Sequence, residues 1–417
     1  MFVNNVRNNG ISSVGEVFSR PDIKAANNNS GTVSTLSYSD RAVKSDVSDD
    51  IKKTMKLFLA ENKSTPPEIL AKLALSPDDF VRQYVAANTS TPQETLTWLG
   101  RDKNAYVLAA VAENTSSPAY VLRELANSGR KDIKQAVARN NSAPVDVLAS
   151  LAQSDDQYIR GAVAANEAIT DDVRGLLSFD SVSFVRQMVA INEKTPLNIL
   201  ERLATDKDSN VRHSVAMSKA TPSSLLEKLA GDPDKSVRIT VAMNVNTPSS
   251  TLDNLANDKE EYVKVGVAAN PSTSTSTLSA ISKIVGFELK YSLAKNTSTP
   301  ANVLDELTVF PHAQIRKLVA ENTGSPASVL KKLAGDELEM VRQGVANNPL
   351  TPAELLAQLS DDKDTLTRQY VARNSSTPLI ILKKLANDKN DYVKLGLAEN
   401  KTISPAMAYQ LFDYVSK

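Results

Sequence analysis

The residue types that carry out chemistry are sparse in this chain, and their spacing builds no catalytic set. Its 417 residues include two histidines, His213 and His312, and no cysteine. The two imidazoles fall at unrelated positions of the repeat. Neither has the paired ligand spacing that lets a helix close on a metal, nor a nucleophile motif nearby. Without thiols, disulfides, thiolate metal sites, iron–sulfur ligation and cysteine nucleophiles are excluded together. No G-x-x-x-x-G-K-[ST] or G-x-G-x-x-G loop is present to cradle a phosphate. The many aspartates recur where helices start, and capping accounts for them there. These observations predict a non-enzyme with no metal site and no cofactor.

The chemistry that does recur is electrostatic. A basic residue returns in nearly every repeat, at Lys56, Arg82, Lys134, Arg160, Arg186, Arg212, Arg238, Lys264, Lys290, Arg316, Arg342, Arg368 and Lys394, with only Leu108 breaking the column. Two residues before it stand the aromatics Phe80, Tyr106, Tyr158, Phe184, Tyr262 and Tyr392. Cations and rings in a row make a candidate binding edge, a track for a phosphate backbone or an acidic polypeptide. The same column also fits a structural ladder that bridges each arginine to the aspartate of a neighbouring unit or to loop carbonyls. Lysine plus arginine equals aspartate plus glutamate at 48 each, so no global field draws a polyanion, and this balance favours the ladder.

These columns are positioned by a strict period of 26 residues. Proline recurs at Pro66, Pro92, Pro118, Pro144, Pro196, Pro222, Pro248, Pro300, Pro326, Pro352 and Pro378. Asparagine keeps the same step from Asn62 to Asn400, interrupted only by Ser218. A register without insertions implies units stacked face to face. Each unit predicts two short helices. Helix A opens at Thr65-Pro66-Pro67-Glu68, where threonine caps, proline suits the first turn and glutamate closes a capping box. It carries a one-sided stripe at Ile69, Leu70, Leu73 and Ala74. Helix B is read as capped by the Ser76, Asp102, Asp180 and Asp206 column. Its core positions are of the Val81 and Val85 type, followed by an alanine that never varies from Ala60 to Ala398. Small residues at Ala110, Ala136, Ala162, Gly266, Gly344 and Gly396 would let adjacent B helices approach closely. The asparagine falls at the end of helix B, as a cap that tolerates a left-handed backbone or ties the loop through its amide.

Units such as TPLNILERLATDKDSNVRHSVAMS and TPSSLLEKLAGDPDKSVRITVAMN resemble the leucine-rich repeat variant, a bacterial repeat family, over roughly residues 55 to 405. The resemblance implies a superhelical solenoid of two alternating short helical segments, α and 3₁₀ being interchangeable in some units, with no β-strands. The iron–sulfur cysteine cluster of one branch of that family is absent here, and the resemblance carries no defined activity. The expected fold is an all-α, HEAT-like α-solenoid of about thirteen two-helix repeats. Residues 1–48 are read as a flexible Asn/Ser-rich arm, 49–405 as the solenoid and 406–417 as a C-terminal capping helix. Two units depart from the pattern, at Ile169–Arg174, where proline is missing, and at Pro271–Thr277, where proline moves ahead and Ile284 replaces the usual aspartate.

The function expected is a macromolecular interaction scaffold with a protein partner on one face. Nucleic acid or another polyanion on the basic column is a second reading. A third is a bacterial effector or surface protein exported through the N-terminal arm by a non-classical route, as against a cytoplasmic location. No stretch is apolar enough for membrane insertion.

Overall fold

The computed structural model describes residues 49–408; the expected N-terminal arm, and the closing helix beyond Ala408, lie outside them. Of the described residues, 49–52 fall in one unit of the chain and 53–408 in a second. The second is an all-α solenoid in which helices A and B alternate. No strand occurs among the described residues.

After an opening helix, Asp49–Glu61, thirteen A helices run from Pro67–Leu73 to Leu379–Leu385, and thirteen B helices from Asp79–Ala87 to Asp391–Glu399. All are α-helical, so the interchange with 3₁₀ implied by the resemblance is not used. Helix A spans two turns and would not persist alone. It persists because Leu70, Leu96, Leu122 and the leucines that succeed them, in every unit but that of Arg174, are fully buried against the B helices. The valine pair of helix B and the alanine after it, Val81, Val85 and Ala86 in the first full unit, are buried completely. Ala398, in the last unit, is exposed. Successive B helices stack directly. A methyl added at Gly266 would stand 2.9 Å from the Ala242 Cβ, and at Gly344 2.9 Å from the Ala320 Cβ, so the small column exists because the backbones approach that closely.

Three expectations about caps are corrected. The threonine before proline does not cap helix A. Thr91 Oγ1 instead donates backward to the Val85 carbonyl at 2.6 Å, as Thr195 does to Val189 and Thr351 to Val345, closing the C-terminal end of the preceding B helix. Proline occupies the cap position itself, where its missing N–H needs no partner and its carbonyl accepts from the first turn; no capping box forms. Second, the Asp102-type column lies two residues ahead of the cap position of helix B, where seven of the thirteen helices have a capping side chain: Asp78, Asn104, Asp156, Asp208, Asp234, Asp364 and Asn390. Asp102 instead accepts the Asn104 N–H in a local turn, leaving its carboxylate available elsewhere.

Third, the asparagine cap is extended rather than left-handed, with φ −74° and ψ 119° at Asn88. Its amide does the tying. Asn88 Nδ2 donates to the carbonyls of Ala60 (2.8 Å) and Asn62 (3.0 Å) one unit back, while Oδ1 accepts the Ser90 N–H. The pattern recurs from Asn114 to Asn400 and lapses at Ser218, whose hydroxyl only accepts from the Ala220 N–H. The two irregular units keep register, since Thr170 and Ser274 cap helices Asp171–Leu177 and Thr275–Ile281 in place of proline.

Candidate binding surface

The basic column enters each B helix one position after the buried valine, which turns its side chain toward the link between helices A and B. There each arginine is held on three sides. Arg186 Nε and Nη2 form a fork on Asp206 at 2.6 and 2.8 Å, and Nη1 donates to the Asp180 carbonyl at 2.7 Å. The same geometry joins Arg82 to Asp102, Arg160 to Asp180, Arg212 to Asp232, Arg238 to Asp258, Arg316 to Asp336, Arg342 to Asp362 and Arg368 to Asp388. The arginine side chains in these pairs are 7–17% exposed and the aspartates 4–11%, so both charges are largely withdrawn from solvent. At Asp258 the Arg238 hydrogen bond is the largest influence and holds the carboxyl below the ordinary aspartate range, against the opposing effect of burial. Asp388 is held down in the same way by Arg368. At Asp206 burial is the largest influence and pushes upward, but the hydrogen bonds from Arg186 and the Asp208 N–H, with the Arg186 charge, bring the carboxyl below its usual range.

The lysines of the column lack the fork. Lys134 and Lys264 are half-buried, Lys290 donates to the Ser282 carbonyl, and Lys394 pairs with Asp391 in its own helix. The difference follows the residue twenty positions on. Each of the eight paired arginines has an aspartate there, whereas Lys134, Lys264 and Lys290 are followed at that distance by Ser154, Ile284 and Phe310, and Leu108 by Ser128.

The aromatic column is placed differently. Phe80, Tyr106, Tyr158, Tyr262 and Tyr392 are exposed, between 44% and 65%, while Phe184 is half-buried against Tyr158 with ring centroids 5.9 Å apart. The column thus brings together open rings and neutralised cations. Neither histidine joins it in a chemical group. His213 bonds to Thr240 at 2.9 Å, and His312 stacks edge-on with Phe287 in another unit. Among the described residues no three His, Asp or Glu side chains gather to hold a metal, and no helix is long and apolar enough to cross a membrane.

One arginine outside the column escaped the sequence reading. Arg202, on helix Leu197–Leu203, lies over the Phe179 ring with Cζ 3.7 Å from the centroid, beside a groove of about 410 Å³. What sets it apart is its partner, an aromatic ring in the link of the preceding unit in place of an acid.

No family model and no curated protein matches the sequence. Among solved structures, the chain is similar to one described as a leucine-rich repeat variant with a novel repetitive structural motif, at 22% identity over 59% of this chain and 87% of that one, with a TM-score of 0.36. It is also similar to an engineered protein at 17% identity, over 88% and 96% of the two chains, with a TM-score of 0.20. A third similarity is to the YibA protein of Escherichia coli, at 14% identity over 74% and 98%, with a TM-score of 0.24.

Proposed function

We propose that this solenoid is a non-enzymatic scaffold that binds a protein partner along the edge formed by the N-terminal turns of its B helices. The observation that carries this reading is the exposed aromatic column beside charges already neutralised within the array. Protein interfaces draw their energy from aromatic anchors, with charge depleted at the core of the contact. A phosphate track needs the opposite, guanidinium groups with free donors, and the eight forked arginines have theirs engaged.

The test replaces Phe80, Tyr106 and Tyr158 together with serine. A partner captured by the wild type and identified is expected to bind the variant at least about tenfold more weakly, the loss of one or more buried anchors, with an unchanged melting temperature. Undiminished binding would remove this edge from consideration. The competing polyanion reading makes its own demand on Arg186, Arg212 and Arg238. Changing the three to glutamine would have to abolish salt-sensitive binding to an anionic polymer while the fold survives. On the scaffold reading the same change lowers the melting temperature, and no such binding exists at low salt.

A further inference from the structure

The A helices carry basic residues that reach toward the unit before them, and two meet an acid there. Lys332 meets Asp305, twenty-seven residues back, and Lys384 meets Asp361, twenty-three back. Arg202 stands at the equivalent place of its own unit. The residues twenty-seven and twenty-three before it are Gly175 and Phe179, so neither acid is present. A side chain grown from Gly175 would meet nothing within 4 Å, which leaves the acid's position open space. Phe179 turns instead beneath the guanidinium, and is itself 70% exposed.

The consequence is an arginine with unspent donors. Nε and Nη2 of Arg202 are buried and have no hydrogen-bond partner. Burial pulls the group below the ordinary guanidinium value, with no neighbouring acid to offset it. Leaving such donors unpaired is unfavourable, and a flat guanidinium stacked on a ring is preorganised for a planar, bidentate acceptor. The groove beside it is lined by Ser178, Phe179, Ser181, Thr205 and Lys207. Its two acids, Asp180 and Asp206, are already forked by Arg160 and Arg186, so the charge left to a visitor is positive.

We infer that Arg202, Phe179 and the open position at Gly175 form a receptor for an acidic side chain of a protein partner, which supplies the carboxylate that the array provides for itself at Lys332 and Lys384. The exposed Phe179 ring shifts to admit the partner and packs against the apolar residue flanking its acid. This inference rests on the scaffold reading but uses residues outside the aromatic column, so the two fail separately.

The test is selection of displayed random twelve-residue peptides against the wild-type protein. Recovered sequences are expected to carry Asp or Glu next to an aliphatic or aromatic residue. Their binding should fall at least about tenfold with Arg202→Gln, the loss of one charge-assisted pair, and by less with Arg202→Lys, which keeps the charge without the fork. Gly175→Asp restores the array's own acid. It is expected to abolish peptide binding while raising the melting temperature, a combination that damage to the fold cannot produce. Selection that yields no peptides, peptides without an acid, phosphate-dependent binding alone, or binding indifferent to Arg202→Gln and Gly175→Asp overturns the inference. The aromatic edge would be untouched by any of these results.

Discussion

At the scale of single residues, the fork of Arg186 on Asp206 shows why the basic column is internal. A guanidinium withdrawn from water is tolerated only when its donors are met, and here two go to the carboxylate and one to a carbonyl of the preceding link. Removing one partner therefore strands the other. Asp206→Ala is expected to destabilise the array by about 3 kcal/mol, read from the denaturant midpoint by circular dichroism, while Arg186→Leu with Asp206→Leu recovers most of the loss. A single variant no less stable than wild type would show that the ladder contributes nothing. The pairing itself was legible in the sequence, since aspartate follows at twenty residues wherever the column is arginine and at none of its other positions from Lys56 to Lys290. Examined one at a time, however, the aspartates look like caps and the arginines like a track. Arg202 was not legible at all, because its state depends on the absence of an acid from two positions in the unit before it.

At the scale of elements, the two-helix unit and its core columns follow from the sequence. Leucine at 70, valine at 81 and 85 and alanine at 86 repeat at the spacing of one helical face, with Arg174 departing from the leucine column. Apart from Ala398 at the last unit, these columns are buried where that spacing puts them. The cap chemistry does not follow as directly, because a polar residue at a helix end can serve the helix before it, the helix after it or the next unit. Only packing decides, and it sends threonine backward, asparagine across and aspartate to the arginine of the previous unit. The asparagine ladder makes this quantitative. At Ser218 the carbonyls of Ala190 and Asn192 receive no side-chain donor, whereas Ala164 and Asn166 are bonded by Asn192 at 2.9 and 3.1 Å. Ser218→Asn is therefore expected to raise stability by about 1 kcal/mol, the net value of an ordinary added hydrogen bond, seen as a higher denaturant midpoint. A lower midpoint would mean that the neighbouring loop has closed the space the amide needs.

At the scale of the whole array, stability is the sum of unit interfaces, so interruptions of the ladders mark where it opens first. The arginine forks run without a break from Arg160 to Asp258 and again from Arg316 to Asp388. Between these blocks Ile284 and Phe310 stand twenty residues after Lys264 and Lys290, so two successive interfaces lack a fork, while Asn296 and Asn322 still bridge the opposite end of the B helices. The lapse in the asparagine ladder, at Ser218, falls inside a forked block. No interface from Arg160 to Asp388 thus lacks both ties, and local opening at the joint is confined to the side of the A-to-B links. Amides in helices Glu261–Ala269 and Phe287–Lys295 are expected to exchange with deuterium faster than those in Ser183–Ile191 and Ser209–Met217. Installing the missing fork with Lys264→Arg and Ile284→Asp should slow that exchange by about tenfold, which corresponds to about 1.4 kcal/mol at the joint. Uniform exchange along the array, or a double variant that exchanges as fast as wild type, would mean that the B-helix stacking, rather than the arginine forks, sets the local stability of each interface.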